Sequence, residues 1–84
     1  MSELEALRSE VAAADREILA AVNRRIELVR EISAHKQRNG IAFVDPDQER
    51  RLVAALQEAN TGPLSADGVR QLFEQVLALV KREL

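Results

Sequence analysis

Cysteine, tryptophan and tyrosine are absent from this sequence, which has two phenylalanines and one histidine, His35. Without cysteine, neither a disulfide nor a thiolate metal site can form, and His35 has no second imidazole with which to bind a metal. We therefore expect no metal centre. With few aromatic rings to stack on bases and a net charge of −2, spread over interspersed acids and bases, we also expect no nucleic-acid partner.

Long apolar runs are also missing. No stretch approaches the ~20 consecutive apolar residues of a membrane span. The first residues are acidic, whereas a leader would place a basic segment before an apolar one. We expect a cytoplasmic protein that does not enter a membrane.

The chain is short and poor in helix breakers. Its 84 residues suit a single domain over residues 1–84, and a core of this size is marginal unless a disulfide, a metal or a second subunit adds to it. Because the first two are not expected here, oligomerisation remains. Three glycines and two prolines in a chain rich in Ala, Leu, Glu and Arg indicate helices.

The first predicted helix runs from about Leu4 to Gln37, a segment without glycine or proline. Asn39-Gly40 supplies its C-terminal stop, and a short apolar connector follows over residues 41–44. The apolar residues of this helix recur at spacings of three and four, at Leu4, Leu7, Val11, Ala14, Ile18, Val22, Ile26, Val29 and Ile32.

Two shorter helices are predicted after the connector. Asp45 suits an N-cap, with Pro46 at the first helical position and Gln48 placed to complete a capping box, and this helix extends to about Ala59. Ser65 caps the third helix. The apolar stripe of the third helix consists of Val69, Leu72, Phe73, Val76, Val80 and Leu84.

The first helix is too long for a compact domain. About 34 residues at 1.5 Å each make roughly 50 Å, whereas a compact chain of this size has a diameter near ~30 Å. Since the apolar stripe continues along the whole helix, its overhanging half needs cover, most simply from a second copy. We predict an all-α fold of three helices per chain in an intertwined homodimeric helical bundle.

Three cations lie on or beside the stripe. On a helical wheel, Arg25 and Lys36 fall inside it, and Arg8 lies on its edge with Asp15. A single such cation is commonly a snorkelling side chain or the partner of a carboxylate. Several together, on the face that builds the core, also suit an anionic ligand, and both interpretations stay open at this point. A lone histidine near a helix end, such as His35, more often favours the helix dipole than acts as a base.

The order and spacing of these residues resemble the all-α, AroQ-type chorismate mutases over nearly the whole chain. The segments that carry the resemblance are Leu7-Arg8-xx-Val11-xxx-Asp15-xx-Ile18-Leu19, Asn23-Arg24-Arg25-xx-Leu28-Val29-xx-Ile32-xxx-Lys36, Val44-Asp45-Pro46-xx-Glu49-Arg50 and Arg70-Gln71-Leu72-Phe73.

The resemblance implies an intertwined dimer with two active sites and assigns a role to each matching residue. Arg8 matches the arginine donated across the interface, and Arg25 matches the arginine that binds a substrate carboxylate. Lys36 matches the lysine that donates to the ether oxygen of the breaking bond. Asp45 and Glu49 match the residues around the substrate hydroxyl, with Asp45 acting through its backbone.

The reaction that the resemblance implies is the Claisen rearrangement of chorismate to prephenate. It is unimolecular and needs no cofactor, which suits a sequence without a nucleophile motif or a metal cluster. Catalysis would come from holding the diaxial conformer and from cations that face developing negative charge.

Three substrate-binding positions depart from the family pattern. Gln48 stands where an arginine is common, and its capping role is at least as good an explanation for it. Val80 stands where a small hydroxyl residue is expected, and Leu84 where a glutamine or glutamate joins the lysine at the ether oxygen. One missing donor to developing charge can cost about a hundredfold in rate.

Two explanations follow for the incomplete site. Either the protein is a slow mutase that Arg51, Arg82 or Glu83 assists, or a partner such as the synthase of the first shikimate-pathway step completes it. Related activities remain alternatives, namely an isochorismate-pyruvate lyase or an aminodeoxychorismate mutase, which would use the same carboxylate clamp. A non-catalytic helical regulatory or dimerisation module is a further alternative.

Overall fold

A computed structural model describes residues 2–40 and 45–84, and the connector predicted over residues 41–44 lies outside this description. The described chain forms α1 (Glu3–Arg38), α2 (Pro46–Ala59) and α3 (Ala66–Arg82). The predicted all-α fold with one long and two shorter helices is confirmed. Within residues 2–40 and 45–84, none of these helices combines the length and apolar character needed to cross a membrane.

Side-chain caps and a glycine define both ends of α1. The Ser2 hydroxyl accepts a hydrogen bond from the Glu5 backbone N–H at 3.1 Å, which satisfies one of the free donors of the first turn. At the other end, the Asn39 side chain donates to the His35 carbonyl at 2.8 Å. Gly40 has a φ of 65°, the left-handed conformation that glycine adopts without strain. The predicted Asn39-Gly40 stop is confirmed.

The starts of α2 and α3 also follow from their capping residues. Asp45 Oδ1 accepts from the backbone N–H groups of Asp47 and Gln48, at 3.1 and 3.3 Å, and Pro46 stands in the first turn. Ser65 Oγ accepts from the Gly68 N–H at 2.9 Å. Local chemistry therefore places both helix starts where the sequence predicted them.

The third helix packs against both α1 and α2. Its Val69 and Val80, with 4% and 2% of their surface exposed, are the buried hydrophobic residues among those described. A hydrogen bond connects α1 to the end of α3, because Arg30 Nη2 donates to the Glu83 carbonyl at 3.0 Å. This contact joins residues 53 positions apart in the sequence.

The molecule is elongated because α1 extends far beyond the packed helices. Its principal extents are 57 × 24 × 18 Å, with a radius of gyration of 16.3 Å. The 36 residues of α1 alone span about 54 Å, so the predicted overhang is confirmed. The apolar residues of the overhanging half are more than half exposed, namely Leu4, Leu7, Val11, Ile18 and Leu19.

Candidate active site

A cavity of about 260 Å³ lies where the three helices meet. Each helix lines it with residues spaced three or four apart, the spacing that puts side chains on one helical face. The lining residues are Arg25, Val29, Ile32 and Lys36 at α1, Asp45, Gln48, Glu49 and Leu52 at α2, and Leu77, Val80 and Lys81 at α3.

The two cations that α1 supplies lie at different heights of the cavity. Arg25 and Lys36 are both half-buried, and eleven residues separate them, a rise of roughly 16 Å along the helix axis. A planar guanidinium suits a carboxylate, whereas an ammonium group is a point donor that suits a single oxygen. This arrangement allows two different groups of one anionic molecule to be bound at the same time.

The carboxylates that α2 contributes are in different environments. Asp45 Oδ1 is occupied by the helix cap, and its Oδ2 is 4.0 Å from Arg51 Nη2. Glu49 is half-buried, and its Oε1 is 2.6 Å from Lys81 Nζ. Glu49 therefore faces the cavity beside a cation from α3, while much of the bonding capacity of Asp45 serves the helix start.

Gln48 also lines the cavity. The sequence suggested that its side chain completes a capping box with Asp45. Instead, only its backbone N–H is held by Asp45, and its side-chain amide makes no hydrogen bond within residues 2–40 and 45–84. The amide is therefore available to a ligand in the cavity.

Six of the eight site residues predicted from the sequence line this one cavity, and Arg8 and Leu84 do not. Arg8 is exposed on the overhang, seventeen residues before Arg25 and thus about 25 Å away along the axis. Leu84 follows the last helical residue of α3, Arg82, and is 43% exposed. Val80 reaches the cavity, but as a buried wall residue without a polar group.

The sequence missed the charged residue that α3 brings to the cavity. Lys81 lines it, whereas the suggested substitutes Arg51, Arg82 and Glu83 do not. Local spacing did not mark Lys81, because Leu77, the cavity residue one turn before it, is not on the apolar stripe predicted for α3. In the described part of the chain, no cluster of His, Asp and Glu suits a metal ion.

Comparison with known proteins identifies the family of this chain. The family model "Chorismate mutase type II" matches residues 7–83. The T-protein of Haemophilus influenzae is 34% identical over 99% of this chain, and the chain spans only 21% of the length of that relative.

Two solved structures share the fold. The form I structure of chorismate mutase from Thermus thermophilus is 33% identical, with a TM-score of 0.89 over 94% of this chain and 99% of that one. The form II structure from the same organism is 32% identical, with a TM-score of 0.90 over 96% of this chain and 92% of that one. By sequence and fold, this chain belongs to the chorismate mutase type II family.

Proposed function

We propose that this protein catalyses the rearrangement of chorismate to prephenate in the cavity between its three helices. The observation that carries the proposal is the pair of half-buried cations, Arg25 and Lys36, on one face of α1. Polar groups of α2 and α3 complete the lining around them. A dianionic substrate with a central ether oxygen matches that distribution of donors.

Each polar side chain has a task in this mechanism. Arg25 binds one carboxylate and so helps to hold the compact conformer in which the bonding carbons meet. Lys36 donates to the ether oxygen, where negative charge grows as the C–O bond breaks. Glu49 binds the ring hydroxyl with the backbone of Asp45, and Gln48 contributes its amide. Because no nucleophile or proton transfer is required, catalysis depends on orientation and electrostatics.

The active unit in this proposal is an intertwined homodimer in which Arg8 enters the partner's cavity. Two observations support it. Arg8 stands about 25 Å along α1 from Arg25, too far to serve its own cavity. The exposed apolar stripe of the same half-helix needs cover, and covering it with a second copy would carry Arg8 into the other protomer.

Hybrid dimers test the crossing of Arg8. Arg8→Ala and Arg25→Ala are each expected to abolish most turnover. In a re-equilibrated equimolar mixture, half of the dimers are hybrids, and each hybrid keeps one site with both arginines. Activity should return to about a quarter of the wild-type value. A mixture no more active than its components would disprove the crossing.

The activity is tested by following prephenate formation by the purified protein. Chorismate, isochorismate and aminodeoxychorismate are offered in parallel, because all three would engage the same carboxylate clamp and a shared fold does not distinguish them. Addition of the first shikimate-pathway synthase tests the activating partner that the departures at Val80 and Leu84 suggest. Equal rates with and without the synthase would exclude that partner. A protein that leaves all three substrates unchanged in both conditions would exclude the proposed reaction.

A further inference from the structure

Lys81 is a charged residue of the cavity to which the family resemblance gives no role. Its neighbour Val80 is apolar and buried, and Leu84 lies outside the cavity at the end of the chain. The two α3 positions expected to be polar therefore supply no donor. Within the described lining, α3 contributes Leu77, Val80 and Lys81, so its polar contribution rests on Lys81.

The contact between Lys81 and Glu49 is short but exposed. Nζ and Oε1 are 2.6 Å apart, while the two side chains keep 42% and 32% of their surface exposed. Ion pairs this open to solvent contribute little to folding stability, so a structural tie between α2 and α3 is a weak explanation. An ammonium group has three N–H donors. Glu49 is its only hydrogen-bonding or ion-pair partner in the described chain, which leaves two donors for a ligand.

The charge of the cavity gives an independent reason to assign Lys81 to the substrate. The lining carries three cations (Arg25, Lys36 and Lys81) and two carboxylates (Asp45 and Glu49), a net charge of +1 that becomes zero without Lys81. A neutral cavity has little attraction for a dianion, and Glu49 without its partner would repel one. If Arg8 of the partner subunit enters as proposed, it adds one positive charge to the net +1 of the lining. The cavity with Lys81 then balances the two carboxylates of the substrate.

We propose that Lys81 is a substrate-binding cation. Glu49 holds the ammonium at the wall of the cavity, and its remaining N–H groups bind an oxygen of the dianionic substrate that carries or develops negative charge. Lys81, the residue after Val80 on α3, thereby supplies the hydrogen-bond donor that Val80 and Leu84 lack. The assignment rests on the proposed function, since it concerns the same dicarboxylate in the same cavity.

Steady-state kinetics of prephenate formation test the assignment. Lys81→Met keeps the length of the side chain and removes its charge, so kcat/KM should fall by about tenfold or more. Lys81→Arg should recover a large part of that loss. Arg82→Met is the matched control, because it removes a cation from the next position of α3 and outside the cavity. The kcat/KM of Arg82→Met should stay within about twofold of the wild-type value.

Folding is checked on the same variants by thermal unfolding. The midpoints of Lys81→Met and Arg82→Met should lie within about 3 °C of the wild type, as expected for exposed charges. If Lys81→Met does not fold, Lys81→Gln, which keeps a donor but no charge, takes its place with the same expected fall. A folded Lys81 variant with wild-type kcat/KM, or an equal fall in Arg82→Met, would overturn the inference.

Calorimetric titration with chorismate separates this inference from the proposed function. If the protein binds chorismate but makes no prephenate, the proposed reaction fails. Weaker chorismate binding by Lys81→Met than by Arg82→Met would then still support Lys81 as a cation that binds this ligand. If turnover occurs and is independent of Lys81, only the inference fails. A wild-type protein that neither binds nor converts chorismate would overturn both.

Discussion

Arg24 and Arg25 are adjacent arginines on α1 with different surroundings. Arg25 is half-buried and lines the cavity, whereas Arg24 is exposed and outside it. We expect Arg25→Ala to lower kcat/KM by about a hundredfold or more, because the contact proposed between Arg25 and a substrate carboxylate would be lost. The kcat/KM of Arg24→Ala should stay close to the wild-type value. Prephenate kinetics measure the difference, and analytical ultracentrifugation should find the assembly unchanged. Equal losses in the two variants would show that the net charge of α1, not a contact by Arg25, is responsible.

Gln48 offers a change that should raise activity. Its amide lines the cavity without a hydrogen bond to the described chain, at a position where the family resemblance leads us to expect an arginine. Gln48→Arg adds a cation beside a dianionic substrate and should raise kcat/KM by about threefold or more. Gln75→Arg adds the same charge to an exposed site of α3 outside the cavity and should have little effect. A matching increase in both variants would point to long-range attraction, which added salt would screen.

At the scale of the helix, substitutions at the N-caps of α2 and α3 distinguish an effect on stability from an effect on activity. Asp45→Ala and Ser65→Ala each remove an acceptor for first-turn N–H groups and should each cost about 1 kcal/mol of unfolding free energy. Only Asp45 belongs to the cavity. Its proposed substrate contact is made by the backbone that this cap holds in place, so only Asp45→Ala should also reduce kcat/KM. Asp45→Asn, which can still cap, should recover the stability. Chemical denaturation and prephenate kinetics test this, and a loss of activity in Ser65→Ala would contradict it.

The first turn of α3 gives the protein a predictable response to acid. Hydrogen bonds from Arg70, including Nε to Oδ1 at 3.1 Å, and then its charge, lower the pKa of Asp67. A carboxyl whose folded pKa is depressed stabilises the fold above its unfolded pKa of about 4. That contribution is lost as the pH falls through the lower, folded value.

Asp67→Asn should therefore weaken the dependence of stability on pH at the acid end. The measurement is the urea midpoint from about pH 6 down to about pH 2. Glu10→Gln is the control, because it removes an exposed carboxylate without an ion-pair partner among the described residues. Identical acid profiles for Asp67→Asn and the wild type would rule out this contribution from Asp67.

At the scale of the whole molecule, the length of α1 determines the shape. A chain 57 Å long and 18 Å thick keeps much of its apolar stripe uncovered. If a second copy covers the stripe, Val11→Glu should disrupt the dimer, because a carboxylate is costly to bury without a partner. Ser9→Glu, on the opposite side of α1, should leave the dimer intact. Sedimentation velocity and the concentration dependence of thermal unfolding measure this. Equal sedimentation of Val11→Glu and wild type would disprove that this face forms the interface.

Sequence alone determined the helices, because helix formation depends on near neighbours. Asp45 and Ser65 cap residues two or three positions away, and the spacing of apolar residues identifies the face that each helix buries. The same periodicity singled out Arg25 and Lys36 as cations on a core-forming face. The length of α1, and so its overhang, followed from counting residues between breakers.

Tertiary packing decided what depends on how one helix approaches another. Lys81 reaches Glu49 only because α3 packs beside α2, and Arg30 reaches the Glu83 carbonyl only because α3 ends against α1. Leu84, two residues after the end of α3 at Arg82, does not line the cavity. These contacts join residues more than thirty positions apart, and their geometry is set by interhelical packing that no local spacing encodes. Arg25 and Lys36 could therefore be identified from the sequence of one helix. Lys81 could be identified only from the packing of all three helices.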